Sequence, residues 1–104
     1  MAFLGFGKKK EIIQVNVKDY LSDDEIGMLI TELNTLAKRV PGETSAVVSD
    51  LAKTIREGGT IPAKEGLGMC VSAIKMNQSF SESQEGSSAL LDKLSGVSKT
   101  LLGK

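Results

Sequence analysis

The sequence predicts a mainly α-helical fold, with a short N-terminal strand followed by a helical hairpin and two further amphipathic helices. Three observations carry this. Apolar residues recur at i, i+3, i+4 spacing in four separate stretches. One stretch near the start alternates with period two instead, and Pro-Gly and Gly-Gly pairs punctuate the intervals between the helical patterns. With 104 residues the chain has room for a single core.

Residues 1–10 divide into an apolar, glycine-interrupted piece, Met1 to Gly7, and the run Lys8-Lys9-Lys10. That composition supports no stable element by itself, so a mobile arm is expected. From Ile13 the pattern alternates, putting Ile13, Val15 and Val17 on one face and Gln14, Asn16 and Lys18 on the other, as in a half-buried strand. A lone strand leaves its backbone groups unpaired. Since no second strand pattern follows, the expected partner is the same strand of another subunit.

Ser22 with Glu25 three positions later forms a capping-box pattern, and Asp23, Asp24 and Glu25 suit the positive end of a helix dipole. The first helix therefore starts there. Ile26, Leu29, Ile30, Leu33, Leu36, Ala37 and Val40 supply its apolar stripe, and Pro41-Gly42 stops it. Thr44 or Ser45 is the expected cap of a second helix. Val47 or Val48 opens its stripe, Leu51, Ala52 and Ile55 continue it, and Gly58-Gly59 closes the helix. The short connection folds these two helices into a hairpin. Pro62 suits the first turn of a third helix, which carries two apolar stripes: Leu67, Cys70, Val71 and Ile74, and Met69, Ala73 and Met76. A helix apolar on two sides is central in the fold or shared with a partner. The Ser-rich stretch 77–88 reads as an exposed connector to a fourth helix over 88–102, whose stripe is Leu90, Leu94, Val97 and Leu101. The organisation expected is an arm at 1–10, a strand with three helices at 11–78, and a connector with the last helix at 79–104.

Composition limits the chemistry. Histidine is absent, which removes the usual general base and the commonest metal ligand, and a single cysteine cannot build a four-ligand zinc site. Cys70 falls on the Leu67, Val71, Ile74 stripe, where burial disfavours the thiolate, so it is read as a core residue. Gly58-Gly59, Gly66 and Gly68 lack the order of a phosphate loop and are read as a helix stop and as close packing. Asp23, Asp24 and Glu25 are consecutive on a helix and cannot converge on a cation. No catalytic residue, cofactor or metal site is expected.

What remains is binding. The first expectation is a non-enzymatic adaptor or assembly protein that associates with itself or with a larger protein through apolar helix faces, with Leu90, Leu94, Val97 and Leu101 as candidate partner-binding residues. An alternative comes from a resemblance. Over residues 11–57 the order strand, helix, helix, with Gln14, Asn16 and Lys18 on one strand face, is similar to the ribbon-helix-helix repressors. That resemblance implies a small dimeric DNA-binding protein whose paired strands enter the major groove, with those three residues reading bases or phosphate. A minor third expectation is peripheral membrane contact by the arm, with Phe3, Leu4 and Phe6 entering the interface while Lys8, Lys9 and Lys10 attract anionic lipid. No apolar run approaches the roughly 18 residues of a membrane span. The lysines also follow the apolar start rather than precede it as in a secretory signal, so a cytoplasmic location is expected.

Overall fold

The computed structural model describes residues 13–103. Its elements in chain order are β1 (Gln14–Val15), one 3-10 turn (Val17–Asp19), α1 (Asp23–Ala37), α2 (Gly42–Arg56), β2 (Ile61–Pro62), α3 (Ala63–Ser79) and α4 (Ser87–Leu102). The mainly helical class with a short strand near the N-terminus is as the sequence predicts. The expected arm at 1–10 lies outside the described residues.

The strand departs from expectation in two ways. It is two residues long, and its partner is in the same chain: β1 and β2 are antiparallel, with Gln14 opposite Pro62 and Val15 opposite Ile61. Pairing with another subunit is therefore not what satisfies this strand. Ile61-Pro62 gave no sign of itself because two residues have no alternation and Pro62 suits a helix start equally well. Asn16 ends β1. Its side chain accepts a hydrogen bond from the Lys18 backbone N–H at 2.9 Å and its Nδ2 donates to the Gly58 carbonyl at 2.9 Å, which curls the chain into the 3-10 turn. Val15 and Val17 are buried as the alternation implied, whereas Ile13 is exposed.

Helix α1 begins as the capping box dictates. Ser22 Oγ accepts from Glu25 N–H at 3.2 Å, and Glu25 Oε1 accepts from Ser22 N–H at 2.8 Å. Lys93 of α4 donates to both Glu25 oxygens, so the start of α1 also holds the last helix. The backbone bond from Ser22, then the Lys93 ammonium, keeps the Glu25 carboxyl below its usual range. Gly42, at φ +41°, makes the reversal into α2, and Pro41 rather than Thr44 or Ser45 is the N-cap. The Ser45 hydroxyl donates backwards to the Ala37 carbonyl at 2.7 Å, closing the end of α1 instead of opening α2. Val48, Ala52 and Ile55 face the core, with Val47 turned outward.

Helix α3 is central, packing on α1, α4 and β2, which accounts for its two apolar stripes. Leu67, Cys70, Ala73 and Ile74 are fully buried, Met69 is half-buried and Met76 is exposed. Burial pushes the Cys70 thiol up from the usual 9.0 to about 12. Gly66 lies against Ile61: a Cβ there would stand 2.7 Å from Ile61 Cδ1 and 2.9 Å from Cγ1. Gly68 has open space around its Cβ position, so close packing explains only the first of the two.

A buried polar cluster locks the α3–α4 connector. Glu32, on the inner side of α1, is 1% exposed, and Asn77 of α3 is 0% exposed. Glu32 Oε1 accepts from Asn77 Nδ2 at 2.9 Å and Ser83 Oγ at 3.0 Å, and Oε2 accepts from Gln84 N–H at 2.8 Å and Gln84 Nε2 at 3.1 Å. Four donors fill the acceptor capacity of a carboxylate. Asn77 Nδ2 also reaches the Glu32 carbonyl at 2.8 Å. This fixes the amide orientation, since the opposite one would set Oδ1 against those same acceptors. Asn77 Oδ1 is left buried without a partner, which costs roughly 1–3 kcal/mol. Only the middle of the expected connector is irregular, because α3 runs on to Ser79 and Asn77 is interior.

Two outcomes follow from this packing. Glu32→Gln replaces an acceptor by a donor in a site already filled with donors, and is expected to lower stability by about 2–4 kcal/mol in urea titrations at unchanged m. A loss under about 0.5 kcal/mol would show that the cluster does not hold the connector. For Cys70 the folded state favours the neutral thiol. Its contribution is complete below pH 9.0 and is lost as pH rises towards about 12, while the unfolded chain ionises first. Wild type should therefore lose stability over this interval relative to Cys70→Ser, the difference being read from denaturation midpoints at each pH.

Candidate functional site

A groove lies between α2 and α3, against β2, and takes in Val47, one of the exposed large apolar side chains. Its volume is about 300 Å³ and it is open to solvent. Helix α2 contributes Val47, Asp50, Leu51 and Thr54 from one side, and α3 contributes Glu65, Gly66 and Met69 from the other. Thr60, Ile61 and Pro62 complete the lining.

Each group is there for a local reason. Helical spacing in α2 sets Val47, Leu51 and Thr54 along one edge while Val48, Ala52 and Ile55 point to the core. Val47 is 54% exposed, the highest value among the exposed large apolar side chains of the described residues. Ile61 and Gly66 are both buried and form the base. Were residue 66 to carry a side chain, Ile61 would be pushed outward and the base would rise. The charged residues lining the groove are Asp50 and Glu65, both acidic and exposed. An apolar trough with carboxylates at its edges suits an apolar segment that also carries positive charge.

The residues singled out from sequence lie elsewhere. Leu90 and Leu94 are 2% and 1% exposed within the chain's own core, where α4 packs on α3, so in this fold they do not face a partner. Val97 and Leu101 are half-buried beside the same core. The reason is the apolar packing of α4 on α3, with the Glu32 cluster fixing the connector between them. Gln14 is exposed on β1, but the Asn16 amide is engaged with Gly58, and the Lys18 side chain folds over Gly58, its Nζ 2.9 Å from where a Cβ would stand. These three residues therefore do not form one free polar face, and β1 is already paired with β2. Phe3, Leu4, Phe6, Lys8, Lys9 and Lys10 lie outside the described residues.

No protein-family model, curated protein or solved structure matches this chain. Among the described residues no group of three or more His, Cys, Asp or Glu side chains is placed to share a metal ion, and no helix is long and apolar enough to cross a membrane.

Met76 and Phe80 are also exposed. Arg39 stands over the Phe80 ring, 4.5 Å from its centroid, and pairs with Glu82. The hydrogen bond between them holds the Glu82 carboxyl below its usual range and raises Arg39. The Arg39 guanidinium thus covers part of the Phe80 ring, whereas Val47 stands in a concave groove.

Sequence reasoning missed Val47, Asp50, Leu51, Glu65 and Met69 as a set. Two traces were visible: the Val47-Val48 doublet, of which only one member can face inward, and the second stripe of α3 that includes Met69. Neither shows that the two helices set these residues side by side.

Gly66→Ala is expected to cost about 1–3 kcal/mol, because the neighbour that must yield is a branched, buried side chain. The pairing of β1 with β2 should loosen too, seen as faster hydrogen exchange at the Ala63 amide, which bonds Ile13 O at 2.7 Å. Unchanged stability and exchange would mean that Ile61 does not rest on this glycine.

Proposed function

We propose that this chain is a non-enzymatic binding protein, an adaptor or assembly factor, whose α2–β2–α3 groove receives an apolar, positively charged segment of a protein. The observation that carries the reading is the conjunction of exposed Val47 with half-buried Leu51 and Met69 in a concave site edged by Asp50 and Glu65. Apolar side chains left in a concavity gain by covering one another when a partner enters, about 25 cal/mol for each Å² removed from water. The carboxylates add selectivity for cations and a faster encounter more than raw affinity. The absence of histidine from the sequence and the burial of Cys70 support a role in association over one in turnover.

A short synthetic helix built only of leucine and lysine is a suitable probe, since it offers the expected chemistry without presuming a natural partner. Titrated into the full-length protein, it should shift the amide resonances of α2 and of the first turns of α3. Val47→Ser, which removes apolar surface without adding charge, should weaken it by about tenfold or more while leaving the denaturation midpoint nearly unchanged, because the replaced side chain is exposed. Probe-induced shifts that avoid the groove, or equal affinity in the variant, would sink the proposal.

A further inference from the structure

We infer that residues 82–86 of the α3–α4 connector form an acid-released strap, fastened towards α1 by the carboxylates of Glu32 and Glu82 and freed on their protonation while the helices stay packed.

The strap's ties to α1 and its C-terminal end run through these two groups. Glu32 accepts from Ser83 Oγ at 3.0 Å, from the Gln84 N–H at 2.8 Å and from Gln84 Nε2 at 3.1 Å. Just past the end of α1, Arg39 Nε donates to Glu82 Oε1 at 3.0 Å, and the guanidinium also pairs with Oε2. The further hydrogen bond from the strap to α1 among the described residues is Gln84 Nε2 on the Met28 carbonyl at 2.9 Å, made by the same amide that Glu32 orients. Beneath the strap the packing is of another kind. Leu29, Leu33 and Leu36 of α1, Leu67 and Ile74 of α3, and Leu90 and Leu94 of α4 are buried and carry nothing that titrates. Acid therefore acts on the ties and not on this packing.

Protonation works differently at the two carboxyls. All four acceptor positions of Glu32 are taken by donors, so an added O–H must displace one of them. Turning the Asn77 amide over to accept that O–H is no remedy, because it would set Oδ1 against the Glu32 carbonyl, which Nδ2 now meets at 2.8 Å. At Glu82 protonation removes the charge that Arg39 pairs with. The Arg39 hydrogen bond, with the charges of Arg39 and Lys38 added, holds this carboxyl below its usual 4.5, so its tie is complete above that pH and is lost as pH falls through the folded value. The surrounding groups leave these two in control. Arg39 and Lys38 face Glu82 from the α1 side, α3 offers Glu32 the Asn77 amide, and Lys93 of α4 is engaged with Glu25. Among the described residues no other titratable side chain bonds either carboxylate.

The test is hydrogen exchange of the isotopically labelled full chain, read by amide resonances from pH 7 down into the acid range. The Gln84 amide, bonded to Glu32 Oε2, should lose at least about tenfold in protection at a pH where the Leu33 and Leu67 amides are still protected. Glu82→Gln keeps the shape and removes the titrating group, so it is expected to lower Gln84 protection about two- to fivefold at neutral pH and to make its fall with acid shallower, since fewer protons accompany opening. Because Glu82 is exposed, this variant stays informative where Glu32→Gln fails to fold. Gln84 protection that persists until Leu33 and Leu67 lose theirs would overturn the strap and leave only global acid unfolding. An acid profile for Glu82→Gln that coincides with wild type would equally overturn fastening by the two carboxylates.

Discussion

The contact between Ile61 and Gly66 is the constraint on which the rest of the surface depends. Only a residue without Cβ lets the branched side chain of Ile61 lie against the first turns of α3. With Ile61 buried there, the two-residue strand β2 is held where it packs on both α2 and α3 and pairs with β1. That one placement supplies two lining residues of the groove and holds the strand that pairs with β1. A slightly larger residue at position 66 would disturb both.

The opposite side of α3 is organised by a different force. There the buried Glu32 carboxylate collects donors from Asn77, Ser83 and Gln84 and so ties α1, α3 and the connector together. A buried carboxylate is costly unless its acceptor sites are filled, and a filled one is geometrically demanding, since each donor must arrive from its own direction. The connector is thereby held in one path and α4 is delivered to the core. Leu90 and Leu94 of the last helix are accordingly interior, while Val47 of α2 stays exposed.

The two faces of α3 thus divide the work. One is sealed by an internal helix and a saturated polar cluster; the other is floored by a short strand and left open, with carboxylates at the margin. An apolar trough edged by Asp50 and Glu65 is the surface that this open face presents.

The sequence by itself determined the helical class, the four helices and most of their limits, because spacing, capping and Pro-Gly punctuation are local signals. The Ser22–Glu25 box set the start of α1, the apolar runs set the buried faces of α1 and α3, and the neighbours of Cys70 foretold its burial. What lay beyond it were relations between distant residues. Ile61 pairs with Val15 across the whole α1–α2 hairpin, and Glu32 meets Gln84 fifty-two positions later. Ser45 also turned from an expected cap into a donor for Ala37. No local pattern encodes such meetings, since each exists only after the helices have packed. The groove is of the same kind: Val47 and Met69 each look like an ordinary member of an apolar stripe, and only tertiary packing brings them to the lining of one groove.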